Sequence, residues 1–101
     1  MEENGDEGYV NVTLYDGSII SYGVVDDIFI EIPEDELQVG YTSCVHFSTG
    51  SATTIDFTPA SALFVGDSVV NLTLDIKRYS RYTIKFEYNG ESVIGYVTCI
   101  G

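Results

Sequence analysis

From Tyr9 onward, apolar side chains recur at every second position. Val10, Val12 and Leu14 fall on one side of an extended chain, with Asn11 and Thr13 on the other. Ile28, Ile30 and Ile32 oppose Asp27 and Glu31 in the same way, and Tyr82, Ile84, Phe86 and Tyr88 oppose Arg81, Thr83, Lys85 and Glu87. A period of two is the pattern of a strand with one buried face, and no segment shows the 3.6-residue period of a long amphipathic helix. Further strands are expected from Ser18 to Val25, from Tyr41 to Ser48 (Val45 and Phe47 inward), over Thr53–Phe57 and over Ala62–Val65. Another is expected where Val70, Leu72, Leu74 and Ile76 share a face. Asp16-Gly17 and Asn89-Gly90 each lie between two such runs and read as hairpin turns, because a type I′ turn needs two positive φ angles. Pro33 removes a ladder donor and ends its strand, and 33–40 reads as a polar loop with one helical turn. The last strand, Glu91–Ile100, is apolar on both faces, with Val93, Val97 and Cys99 against Ile94, Tyr96 and Ile100. Such a strand is expected to be covered on both sides, by a second sheet or by another subunit. About eight short strands at this spacing predict an all-β chain, an antiparallel β-sandwich of jelly-roll or immunoglobulin-like type.

At 101 residues the chain has the length of one domain. Residues 1–8 are acidic and glycine-containing and are expected to form a flexible arm, ordered by a partner if at all; 9–101 form the sandwich domain. The residues Glu2, Glu3, Asp6 and Glu7 are the opposite of a signal peptide's basic start, and no apolar run reaches the length of a membrane helix, so synthesis in a cytoplasm without membrane insertion is expected. Cys44 and Cys99 stand 55 positions apart and belong to no CxxC pair; buried free thiols are expected in preference to a disulfide.

Sixteen Asp and Glu against four Lys and Arg give a net charge of −12. Nucleic-acid binding rests on cationic side chains neutralising phosphates, so no nucleic-acid partner is expected, and anionic membranes are disfavoured likewise. All four cations, Lys77, Arg78, Arg81 and Lys85, fall within nine positions. That cluster is either ordinary charge placement around one hairpin or a contact zone for an acidic neighbour.

Candidates for chemistry are few. His46 lies two positions from Cys44 on a predicted strand, the same-face spacing of a nucleophile–base pair, but about 6–7 Å separates their Cβ atoms and no third group is evident. Asp26-Asp27 and Glu34-Asp35-Glu36 cluster carboxylates. Glycoside hydrolysis would need a cleft for which a chain this short has little room, and the calcium-loop spacing is missing, so a solvated acidic surface is the preferred reading. No phosphate loop, nucleophile elbow or metal-ligand spacing occurs. No catalytic residue, metal or cofactor is therefore expected, and the chain reads as a binding or structural module, not an enzyme. Asn11-Val12-Thr13 and Asn71-Leu72-Thr73 are formal glycosylation sequons without a secretory signal.

The stretch Tyr41-Thr42-Ser43-Cys44-Val45-His46-Phe47-Ser48-Thr49-Gly50, the pair Ile55 and Phe57, Gly66-Asp67, and Arg81 to Gly90 (RYTIKFEYNG) together resemble a small β-domain common in virion proteins of phages that infect gut bacteria. The likeness spans roughly Ile28–Val97. The chain departs from that pattern in having Phe64-Val65 where an aromatic, often Trp, precedes the Gly-Asp turn, and in starting at a plausible initiator Met1. The second departure points to a separate subunit on a capsid or tail and away from a receptor tip. The resemblance implies a virion structural protein, a head-fibre, capsid-decoration or tail-fibre component located in the virion. It further implies a homo-oligomer, a trimer above all, in contact with other capsid or fibre proteins. Ile94, Tyr96, Val97 and Ile100 are the expected oligomer interface, and Glu2, Glu3, Asp6 and Glu7 the expected anchor arm. The alternative is a carbohydrate- or receptor-binding sandwich of a tail fibre or cell surface, with Tyr9, Tyr15, Tyr22 or Tyr41 stacking on a host-surface glycan.

Overall fold

The structure, a computed structural model, describes residues 8–59 and 61–100. Eight strands follow one another: β1 (Gly8–Thr13), β2 (Ile19–Glu31), β3 (Thr42–Thr58), β4 (Leu63–Gly66), β5 (Val69–Val70), β6 (Thr73–Leu74), β7 (Arg81–Tyr88) and β8 (Val93–Ile100). A single 3-10 turn, Glu34–Glu36, lies in the loop expected to hold one. Six strands are hydrogen-bonded in the order β1-β2-β3-β7-β8-β4, and β5 pairs with β6. The all-β sandwich holds, and its pairing is mixed. β3–β7 and β7–β8 are antiparallel, while β1–β2, β2–β3 and β8–β4 run parallel.

Two layers arise because β2 and β3 bend in the middle. β2 has 13 residues, about 40 Å if straight at ~3.3 Å per residue. Yet the Leu14 amide donates to the Glu31 carbonyl at 2.8 Å and the Gly17 amide to the Thr42 carbonyl at 2.8 Å, so four residues bridge the end of β2 to the start of β3. The corner is a bulge. Between the pairs Val25–Thr49 and Asp27–Thr54, β3 places 50–53 opposite the single residue Asp26. The Thr53 hydroxyl fills the gap in the ladder, donating to the Val25 carbonyl at 2.7 Å and accepting from the Gly50 amide at 2.8 Å. Bulges bend strands and let them pass from one sheet to the other. One layer therefore contains β4, β8, β7 and the first parts of β3 and β2; the other contains β1 and the second parts of β2 and β3.

The inner faces match the alternation. Val10, Val12, Leu14, Ile28, Ile30, Val45, Phe47, Tyr82, Ile84 and Phe86 are all buried. Phe57 of the three-stranded layer meets Phe64 of the five-stranded layer edge to face at 4.7 Å, and Phe64 meets Phe86 at 6.1 Å. Aromatic contacts thus join the two layers.

Several local expectations are corrected. Asp16-Gly17 does make a turn, closed by the Ser18 amide on the Tyr15 carbonyl at 2.9 Å. It is not a hairpin, since β1 runs parallel to the far part of β2, and only Gly17 has a positive φ. Asn89-Gly90 does join the antiparallel β7 and β8, through a four-residue loop in which the Asn89 side chain accepts from the amides of Glu91 and Ser92, both at 2.9 Å. Thr53–Phe57 is the continuation of β3 past the bulge and not a separate strand. The run Val70 to Ile76 breaks at Asn71 and Leu72, whose φ angles of 51° and 62° make the tight turn between β5 and β6. That turn switches the facing, leaving Val70 and Leu72 exposed while Leu74 and Ile76 pack on the core.

Tyr41 and Tyr82 carry buried hydroxyls with defined tasks. Tyr41 donates to the Leu14 carbonyl at 2.6 Å and shares a 2.8 Å hydrogen bond with the Ser43 hydroxyl, tying the β1 exit to β3. The Tyr82 hydroxyl accepts from the Lys77 amide at 2.8 Å and contacts the Ser68 hydroxyl at 2.8 Å, which holds the β5–β6 hairpin against β7. Burial raises both phenols above the ordinary value of 10.0. The neutral form is favoured in the folded state, so these phenols stabilise the fold fully below pH ~10, and that contribution is lost as pH rises through the folded values. Denaturation midpoints should hold between pH 8 and pH 9.5 and fall above ~10. Tyr41→Phe is expected to cost about 1–3 kcal/mol at neutral pH, because the Leu14 carbonyl and Ser43 hydroxyl lose a buried partner. It should also flatten the alkaline decline, which urea titrations at both pH values would check.

Candidate functional site on the outer face of the five-stranded layer

The strand registers place defined rows across the solvent side of the five-stranded layer. Ile19, Cys44, Lys85, Tyr96 and Val65 lie side by side on five successive strands. Ser21, His46, Thr83 and Thr98 form the next row, and Thr42, Glu87, Ile94 and Leu63 flank the first on its other side. Ser48, Arg81 and Ile100 complete the face. Ile19 is 75% exposed, Ile100 71% and Tyr96 42%.

In a chain of −12 the rows of this face carry two of the four cations, Arg81 and Lys85, and one carboxylate, Glu87; Asp26 stands at its corner beside Gly50, and Asp67 at its β4 edge, where it accepts from the Cys99 amide at 3.2 Å. The outer side of the other layer is the reverse. Its rows join Tyr9, Asp27 and Thr54; Asn11, Phe29 and Asp56; and Thr13, Glu31 and Thr58, with three carboxylates and no cation. Arg81 is held rigidly by neutral acceptors. It donates to the Tyr22 carbonyl at 2.7 Å and to the hydroxyls of Ser48 and Ser21 at 3.1 Å each, so its charge is fixed on the face without a carboxylate among those three partners. Lys77 and Asp75 approach to 3.8 Å, both well exposed, a geometry that contributes little.

Cys44, His46 and Thr83 form a chain of contacts in the middle of the face. The Cys44 sulfur lies 3.6 Å from His46 Nε2, and His46 Nδ1 lies 2.9 Å from the Thr83 hydroxyl. Sequence spacing alone missed Thr83, which comes from a neighbouring strand 37 positions away. Burial pushes the Cys44 thiol up, more than the Lys85 charge draws it down. The thiolate is the reactive form of cysteine, so this trio holds a neutral thiol. Both cysteines are free and half-buried. Among the described residues, no group of three His, Cys, Asp or Glu side chains gathers closely enough to hold a metal ion.

The acidic loops form a hollow of about 230 Å³ lined by Asp16, Asp35, Glu36, Gln38 and Tyr41 among others. Two of its carboxylates serve the backbone: Glu36 accepts from the Asp16 amide at 2.8 Å and Asp16 from the Thr42 amide at 3.1 Å.

Of the four residues expected at an oligomer interface, Ile94, Tyr96 and Ile100 share the outer face. Val97 points the other way, is 5% exposed and belongs to the core. The inner side of β8 is thus covered by the opposite layer, and its outer side meets solvent. Glu2, Glu3, Asp6 and Glu7 lie outside the described residues. Of the tyrosines expected to stack on a glycan, Tyr9 and Tyr15 are exposed, Tyr22 is half-buried on the core and Tyr41 is buried. Among the described residues no helix is long and apolar enough to cross a membrane. Comparisons with protein-family models, curated proteins and solved structures find no match.

Proposed function

We propose that this chain is a structural subunit of a bacteriophage particle, of head-fibre or capsid-decoration type, which assembles with its own copies and with other virion proteins and carries out no chemistry. The observation that carries the assembly part is the outer face of β8 and β4. Tyr96, Ile100 and Leu63 are exposed there, with Ile94 half-buried between Glu87 and Leu63, and the carboxylates of that surface are confined to Glu87 and, at its edge, Asp67. Contiguous exposed apolar surface on a small domain marks an interaction site. The placement in a particle rests on the residue patterns around Tyr41–Gly50 and Arg81–Gly90. A carbohydrate-binding module is the second reading, favoured by the exposed rings of Tyr9 and Tyr15.

Mass spectrometry of purified particles is the test of location. The chain should be present at a fixed copy number per particle; its presence in the lysate and not in particles would end the virion reading, and glycan-array binding would favour the second. Ile100→Asp should preserve the melting temperature within a few degrees, because the side chain is 71% exposed, while weakening self-association about tenfold or more. Val97→Asp should instead unfold the domain, since it buries an unpaired charge.

A further inference from the structure

We propose that copies of this chain associate head to tail, the outer face of the five-stranded layer of one copy packing on the acidic outer face of the three-stranded layer of the next. The inference rests on the self-assembly proposed above and specifies its geometry.

Two faces of one molecule differ in charge. One presents Arg81 and Lys85 beside the apolar Tyr96 and Ile100. The other presents Asp27, Glu31 and Asp56 beside Tyr9 and Phe29. Pairing the acidic face with itself would set six carboxylates against one another. Pairing the cationic face with itself would leave Arg81 and Lys85 only Glu87 and the bordering Asp26 and Asp67 as carboxylate partners. Like charges brought together at an interface are strongly unfavourable, and opposite ones fix register and speed encounter. The heterologous arrangement sets Arg81 and Lys85 against Asp27, Glu31 and Asp56. The net charge of −12 opposes association at long range, but at physiological salt that repulsion is screened beyond ~8 Å while contacts within the interface are not. The molecule measures 39 × 31 × 18 Å, and its broad sides have room for the ~800 Å² per partner of a standard interface. Because the two faces lie on opposite sides of the sandwich, contacts of this kind stack copies into an open array instead of closing a small ring.

The test is a mixing experiment. One variant, Lys85→Glu with Tyr96→Asp, disables the cationic face; a second, Glu31→Lys with Asp56→Lys, disables the acidic face. All four side chains are exposed, so both variants should keep the parent's circular dichroism and melting temperature. If either does not fold, Glu31→Gln with Asp56→Asn replaces charge reversal and should still weaken association about tenfold. Each variant alone should run as a monomer. Mixed in equal amounts they should associate one to one, through the one unaltered face that each retains. A parent that assembles, with the acidic-face variant assembling equally well, would overturn the head-to-tail geometry and leave self-assembly standing. A monomeric parent would overturn both. Removing residues 2–7 should leave assembly unchanged; loss of assembly there, with the acidic-face variant intact, would make the N-terminal segment the occupant and contradict the proposal.

Discussion

Phe64→Ala should destabilise the domain by about 3–5 kcal/mol, the range for truncating a buried aromatic. Phe64 comes from the short strand β4, is fully buried, and touches Phe57 from the opposite layer at 4.7 Å and Phe86 from its own layer at 6.1 Å. Its removal opens a cavity at the place where the two layers meet. A domain of this size has about 5–15 kcal/mol in total, so the variant should lose a fifth or more of its stability and melt tens of degrees lower. Phe57→Ala should cost less, because Phe57 is only partly buried. Guanidinium unfolding of both variants would check the order. A loss below ~1 kcal/mol for Phe64→Ala would mean that β4 does not close the core.

Gly66→Ala should cost about 2–5 kcal/mol for a different reason. Gly66 has a φ of 112°, which side chains rarely adopt, and a Cβ added there would stand 2.4 Å from the Val97 carbonyl oxygen. The obstructing atom belongs to backbone and cannot swing aside, and the same carbonyl accepts from the Asp67 amide at 2.9 Å. The substitution would push β4 off β8. Gly40→Ala supplies the control. Its φ of 102° is comparable, but nothing lies within 4 Å of the added Cβ, so only the conformational part of the cost, about 1 kcal/mol, should remain. Equal losses in the two variants would show that the close approach to Val97 does not matter.

Alternation makes the core legible in the sequence itself. Val10, Val12, Ile28, Ile30, Tyr82, Ile84 and Phe86 need only a period of two to be assigned inward. The same rule separates Val97 from Ile94, Tyr96 and Ile100, so its place in the core follows from parity, and grouping it with an outer surface ignores that. Topology is less readable. An Asp-Gly between two strand runs normally signals a hairpin, and it misleads here because β2 belongs to both layers and β1 joins its far part. Nothing in Gly50-Ser51-Ala52-Thr53 announces that one strand turns a corner instead of ending. The Asn71-Leu72 turn carries half a signal: Asn tolerates a positive φ, whereas Leu does so at a cost in strain. The Thr83 contact to His46 and the contrast between the two outer faces both depend on which strands are neighbours. Charges at alternate positions are visible in sequence, but their partners across strands are not.

Light scattering on the unmodified chain, at physiological salt and high micromolar concentration, bears most directly on the proposed assembling module. A mass of two or more 11.1 kDa copies, rising with concentration, is the predicted result. A single 11.1 kDa species that persists at the highest concentration would contradict it.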